Sequence, residues 1–217
     1  MNREGDRVLS NKNNSNFMIR RLHSLIAVIP VGIFVCVHML LNSSVFISGN
    51  ESYLALINFM KTAPFVVILE VVVIAIPIIF HGLYGIYIVY LAKNNALKYT
   101  YYRNWAFYLQ RITALIVLVF LIWHVWVLHL STHEPQLVIN TLAGLLHNPV
   151  TFALYIIGVV ASMYHFANGL FTFCITWGIC VGDRSQKVFA TVAGAFFVLI
   201  SLFAIAILVK ISIMPLA

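Results

Sequence analysis

Four histidines, His38, His81, His124 and His165, each fall inside a different long apolar stretch of the chain. An ionisable side chain is costly at membrane depth unless a partner or a cofactor holds it. Imidazole is also a strong axial ligand for haem iron, and two imidazoles can take the two faces of one macrocycle. Four such residues therefore predict two bis-histidine b-type haems. The alternative for any single one is a hydrogen bond to a neighbouring helix.

The elements that must carry these residues are membrane helices. Of the 217 residues 62% are hydrophobic and 9% charged, with a mean hydropathy of +0.98, more apolar than a soluble core of this length requires. A span needs about 20 apolar residues, and the pattern predicts five: 19–42, 64–92, 104–131, 149–180 and 187–213. The fold expected is an all-α bundle of five transmembrane helices. Residues 1–16 read as a polar cytoplasmic tail, and 17–217 as one transmembrane cytochrome b domain.

The net charge of +7 is placed unevenly. Arg3, Arg7, Lys12, Arg20 and Arg21 precede span one, Lys93, Lys98, Arg103 and Arg111 surround the second connection, and Arg184 and Lys187 lie in the fourth. Cytoplasmic loops hold such an excess, so the N-terminus is expected inside and the C-terminus outside a bacterial cell membrane. The basic balance thus reflects topology and lipid contact, with no nucleic-acid partner. Arg20 and Arg21 before an apolar run resemble a twin-arginine signal, but the run is too long for one.

Cys36, Cys174 and Cys180 fall within the expected spans and read as small buried hydrophobes. No C-x-x-C-H attachment, cysteine cluster, dinucleotide fingerprint or P-loop is present. A flavin or iron–sulfur centre would have to come from elsewhere.

Depth assigns the histidine pairs. At about 1.5 Å per residue, His38 lies ~6 Å from Asn42 and His124 ~10 Å from Ser131, whereas His81 lies ~26 Å from Pro64 and His165 ~24 Å from Pro149. The consistent pairs are His38 with His124, outer, and His81 with His165, inner. Gly82, Gly85, Ala161, Ser162 and Gly169 leave room for a flat macrocycle, and serve equally for close helix packing. Arg20, Arg21, His23 and Arg111 form a basic group near the inner face, where haem propionates would find cations and where the topology signal also places them. Glu70, ~9 Å below Pro64 and about three turns before His81, is a candidate for proton exchange with a quinone or for a structural hydrogen bond. His129, His133 and His147 read as interfacial.

The segments R-R-L-H-S-L-I-A-V-I-P-V-G-I-F from Arg20, A-K-N-N-A from Ala92, R-N-W-A-F from Arg103, Q-R-I-T from Gln110, W-H-V-W from Trp123, H-F-A-N-G-L from His165 and T-W-G-I from Thr176 resemble the five-helix, two-haem cytochrome b anchors of succinate:quinone oxidoreductases, especially the bacillus-type succinate dehydrogenase subunits. The resemblance implies that the four histidines are axial haem ligands. It also implies a cytoplasmic FAD flavoprotein and an iron–sulfur subunit as partners, and menaquinone as acceptor. Related quinol:fumarate reductase anchors carry an acid two positions before the fourth ligand, where this chain has Met163; that difference favours succinate oxidation. Quinol:fumarate reduction, or a di-haem carrier serving another complex, remain the alternatives.

Overall fold

The computed structural model describes residues 16–93 and 95–214. Five helices are long and apolar enough to cross a membrane: α1 (Asn16–Ser48), α3 (Val66–Leu91), α4 (Tyr102–Leu130), α6 (Pro149–Thr176) and α7 (Asp183–Ser212). Two shorter helices, α2 (Asn50–Thr62) and α5 (Pro135–His147), lie in the connections after α1 and α4. Among the described residues there is no strand. Arg3, Arg7 and Lys12 of the expected tail lie outside the described residues, as does Asn94.

The span boundaries move for local reasons. Helix α1 starts at Asn16 and runs to Ser48, beyond the expected 42, because its last turn is apolar and Val45 is fully buried. Helix α6 stops at Thr176, not 180. Gly178 adopts φ +71°, and the amide of Ile179 bonds back to the Cys174 carbonyl at 2.8 Å, a glycine-terminated helix end. Cys180 therefore lies past the helix, and Cys36 is exposed, so only Cys180 is a fully buried thiol. At the start of α6 the Asn148 carboxamide accepts from the amides of Val150 and Thr151, with Pro149 at the first helical position, where its missing N–H costs nothing.

Helices α2 and α5 close one end of the bundle. In α5, Ile139, Leu142, Ala143 and Leu146 repeat at the spacing of one helical face and pack with Val45, Tyr53, Leu128, Tyr155, Ile207 and Ile211. Burial pushes the Tyr53 phenol above its ordinary range, and its hydroxyl donates to Asn42 Oδ1 at 2.7 Å. Lys61 of α2 donates to the carbonyls of Thr132 and His133 at 2.6 and 2.9 Å, just past the end of α4. At the opposite end Arg20, Lys93 and Arg111 line one cleft, and Arg21 lies against Trp177. Basic residues from the N-terminal part of α1 and from both sides of the α3–α4 connection thus gather at the end away from the α2/α5 cap.

Three spans widen locally into π-helix: Ala27–Gly32 in α1, Leu69–Ala75 in α3 and Trp126–Leu130 in α4. Pro30 lies inside the first and Pro77 two residues beyond the second. A proline lacks the N–H and crowds the preceding turn, and a π-bulge relieves that crowding at a rotation of the helix face.

Candidate functional site

Four spans deliver the four histidines as two facing pairs. The rings of His38 (α1) and His124 (α4) have centroids 6.1 Å apart with planes at 87°. Those of His81 (α3) and His165 (α6) are also 6.1 Å apart, at 78°. The pairing matches the depth argument. From the observed helix ends, His38 and His124 lie ~15 and ~9 Å from the capped end, against ~22 and ~24 Å for His81 and His165. His38 is less shallow than the sequence suggested because α1 extends to Ser48, whereas His124 is within a residue's rise of its expected depth.

The centroid spacing of each pair would suit two imidazoles holding one haem b. An imidazole nitrogen sits about 2.0–2.1 Å from a first-row metal, and the ring centre about 1.1 Å behind it, so two rings on one ion stand ~6.3 Å apart. Among the described residues no group of three or more His, Cys, Asp or Glu side chains converges.

Second partners fix the rings of His165 and His81. His165 Nδ1 donates to the Gln110 carbonyl at 3.1 Å, while the Gln110 amide returns a bond to the His165 carbonyl at 3.0 Å. Asn168 Nδ2 holds Gln110 Oε1 at 2.8 Å. His81 Nδ1 donates to the His23 carbonyl at 3.4 Å. A carbonyl only accepts, so Nδ1 carries the proton on both rings and Nε2 is left free to ligate. In the outer pair, His124 Nδ1 lies 3.5 Å from the Tyr155 hydroxyl, and Tyr155 is 2% exposed between Phe120 and Trp123.

The glycines fall into two groups. A Cβ on Gly82, Gly85 or Gly169 would meet Leu118, His23 or Gln110 at 3.7–3.8 Å, ordinary contact. The tight approaches are at Gly158, where a Cβ would run into the Phe120 ring, and at Gly32, where it would stand 2.6 Å from Phe166.

The expected basic group is spread over three places. His23 stacks on His81, centroids 4.2 Å apart and nearly parallel, and donates from Nε2 to the His81 carbonyl at 3.2 Å. Arg21 lies between the rings of Phe17 and Trp177 and donates to the Thr176 carbonyl at 3.4 Å. Arg111, 7% exposed, stacks on Phe107 and shares a cleft of about 270 Å³ with Arg20 and Lys93.

Glu70 sits in the π-turn of α3, its carboxylate 3.7 Å from His129 Nε2 in the π-turn of α4. The widened turns hold more than 3.6 residues, so eleven residues no longer make three turns to His81.

Residues 92–208, more than half of the chain, match the succinate dehydrogenase/fumarate reductase transmembrane subunit family. The chain is also 42% identical over 189 residues to the succinate dehydrogenase cytochrome b558 subunit of Bacillus subtilis (strain 168), covering 87% of this chain and 93% of that protein. A family match over more than half of the chain and a relative 42% identical over most of it agree, and the chain belongs to the succinate dehydrogenase/fumarate reductase transmembrane subunit family.

Proposed function

We propose that this chain is the haem-bearing, quinone-reactive anchor of a succinate:menaquinone oxidoreductase, with His81/His165 and His38/His124 each holding one haem b. The observation that carries the reading is the pair of 6.1 Å ring-to-ring separations drawn from four different spans. Bound there, haem b supplies one-electron transfer, and the protein sets its ligation and surroundings.

The end rich in Arg20, Lys93 and Arg111 is the cytoplasmic one, where the flavoprotein with FAD and the iron–sulfur subunit dock, with the N-terminus inside and the C-terminus outside. His81 and His165 then lie on the entry side of the path and His38 and His124 on the exit side, near a menaquinone site that includes Glu70. Arg21, His23 and Arg111 lie at the inner end, where the inner haem's propionates would be received. Arg111 and Arg20 are the cations best gathered for that, whereas His23 acts mainly through His81. Electron movement from a negative interior to a positive exterior releases ~2.3 kcal/mol per 100 mV, which favours reduction of a low-potential quinone by succinate. Met163, buried where the fumarate-reducing anchors carry an acid, supports this direction.

A redox titration of the purified complex tests the reading. Two haem b transitions at two haems per chain are expected; a single transition with one haem per chain overturns it.

A further inference from the structure

The geometry points to His129 as a catalytic residue that shares proton delivery with Glu70 to a quinone reached from the lipid side between α3 and α4; this rests on the outer quinone site proposed above. Three observations converge on the pair. First, the carboxylate and the imidazole come from different spans and meet at 3.7 Å, 34% and 54% exposed respectively. Second, both lie in π-helical turns, Leu69–Ala75 and Trp126–Leu130, and such turns are often retained where they re-aim a functional side chain. In a regular helix His129 would point ~140° away from His124, five residues earlier. The wider turn, closed by the Ser131 amide on the Trp126 carbonyl at 2.9 Å, swings it back toward the face that carries His124.

Third, the surroundings are apolar and open to the bilayer. Leu69, Val72, Val73, Trp126 and Leu130 are exposed beside the pair. An ionisable pair set in a lipid-facing wall is expensive to keep as packing. Glu70 lies ~6 Å inside the start of α3 and His129 one residue before the end of α4, a depth that a quinone ring can reach laterally and a proton can reach from the outer water. The neighbouring cation on α2, Lys61, is bonded to the carbonyls of Thr132 and His133.

The chemistry balances with what the complex supplies. Succinate oxidation provides two electrons per quinone, its two C=O groups become C–OH, and the two new O–H bonds take two protons. The imidazolium N–H of His129 and the carboxyl of Glu70 give them up, becoming imidazole and carboxylate, and the outer aqueous phase restores both.

The test uses the assembled three-subunit complex in membranes, comparing His129→Gln, His129→Ala, Glu70→Gln and the double variant Glu70→Gln/His129→Ala. Succinate-to-menaquinone turnover is normalised to succinate-to-dye turnover, which reports the partner subunits, and to reduced haem b absorbance. His129→Gln, which keeps an N–H donor without titrating, is expected to lower kcat at least tenfold with KM for quinone within twofold of wild type. His129→Ala should lower kcat and raise KM, and the double variant should be no worse than the poorer single one. Wild-type turnover in both His129 variants overturns the inference, and if Glu70→Gln is impaired in the same assay the Glu70 quinone site still stands. Wild-type turnover in all four variants overturns both. A His129→Gln protein that loses haem absorbance in proportion to turnover assigns His129 a packing role and also overturns the inference.

Discussion

His23 and His81 hold each other through two reciprocal hydrogen bonds. His23 Nε2 donates to the His81 carbonyl at 3.2 Å and His81 Nδ1 to the His23 carbonyl at 3.4 Å, with the two rings stacked at 4.2 Å. The contact ties α1 to α3 and fixes the tautomer of His81. Partners of this kind commonly change metal affinity 10–100-fold. His23→Leu is expected to lower occupancy or shift the midpoint potential of the inner haem while the outer one is unchanged, read by potentiometric titration. An equal shift of both haems would show that His23 acts on the bundle as a whole.

The ring angles of 87° and 78° predict a spectroscopic signature. Were each pair to hold one haem iron, imidazole planes near perpendicular would leave two iron d orbitals close in energy, and both oxidised haems would give strongly anisotropic low-spin electron paramagnetic resonance signals with a large principal g value. His38→Ala and His124→Ala should remove the same one of the two signals, and His81→Ala and His165→Ala the other. Loss of one signal by both His38→Ala and His165→Ala would break the pairing.

Gly158 and Gly82 should respond differently to a methyl group. At Gly158 the added carbon would run into the Phe120 ring, which is wedged against Tyr155 and His124. Gly158→Ala should therefore cost about 1–3 kcal/mol and perturb the outer haem spectrum. Gly82→Ala meets only Leu118 at 3.8 Å and should be tolerated, as measured by thermal loss of haem absorbance. A large loss in Gly82→Ala with Gly158→Ala unaffected would show that the room beside Gly82 matters more than the close approach at Gly158.

The pairing was legible in the sequence because it depends on depth, and depth survives boundary errors of a few residues. Ser48 in place of 42 at the end of α1 moved His38 by ~9 Å along the axis and still left it in the outer group. Helices α2 and α5 were not foreseen, since 13 residues of mixed polarity fall below spanning length. The Ile139, Leu142, Ala143, Leu146 spacing was the available signal for α5. The contact between Glu70 and His129 was hidden because face arithmetic assumed 3.6 residues per turn through two π-turns. Pro77 was the clue in α3, whereas nothing comparable marks Trp126–Leu130. His23 read as surface charge because the stack on His81 depends on how α1 and α3 cross, which periodicity does not specify.

Tyr155 gives the outer pair its own test. Its hydroxyl lies 3.5 Å from His124 Nδ1, and its ring is packed edge-on to His124 and Phe120 at the centre of the capped end. Tyr155→Phe keeps the ring and deletes only the oxygen, so folding and haem content should be near wild type. With Nδ1 deprived of its neighbour, His124 becomes a less basic ligand, which stabilises the reduced iron and should raise the outer midpoint potential while the inner stays fixed. Tyr155→Leu removes the ring as well and is expected to cost a further ~1–3 kcal/mol through lost aromatic packing, seen as a lower temperature for haem release. An unchanged outer potential in Tyr155→Phe, with the thermal loss confined to Tyr155→Leu, would assign Tyr155 to packing and leave His124 oriented by α4 alone.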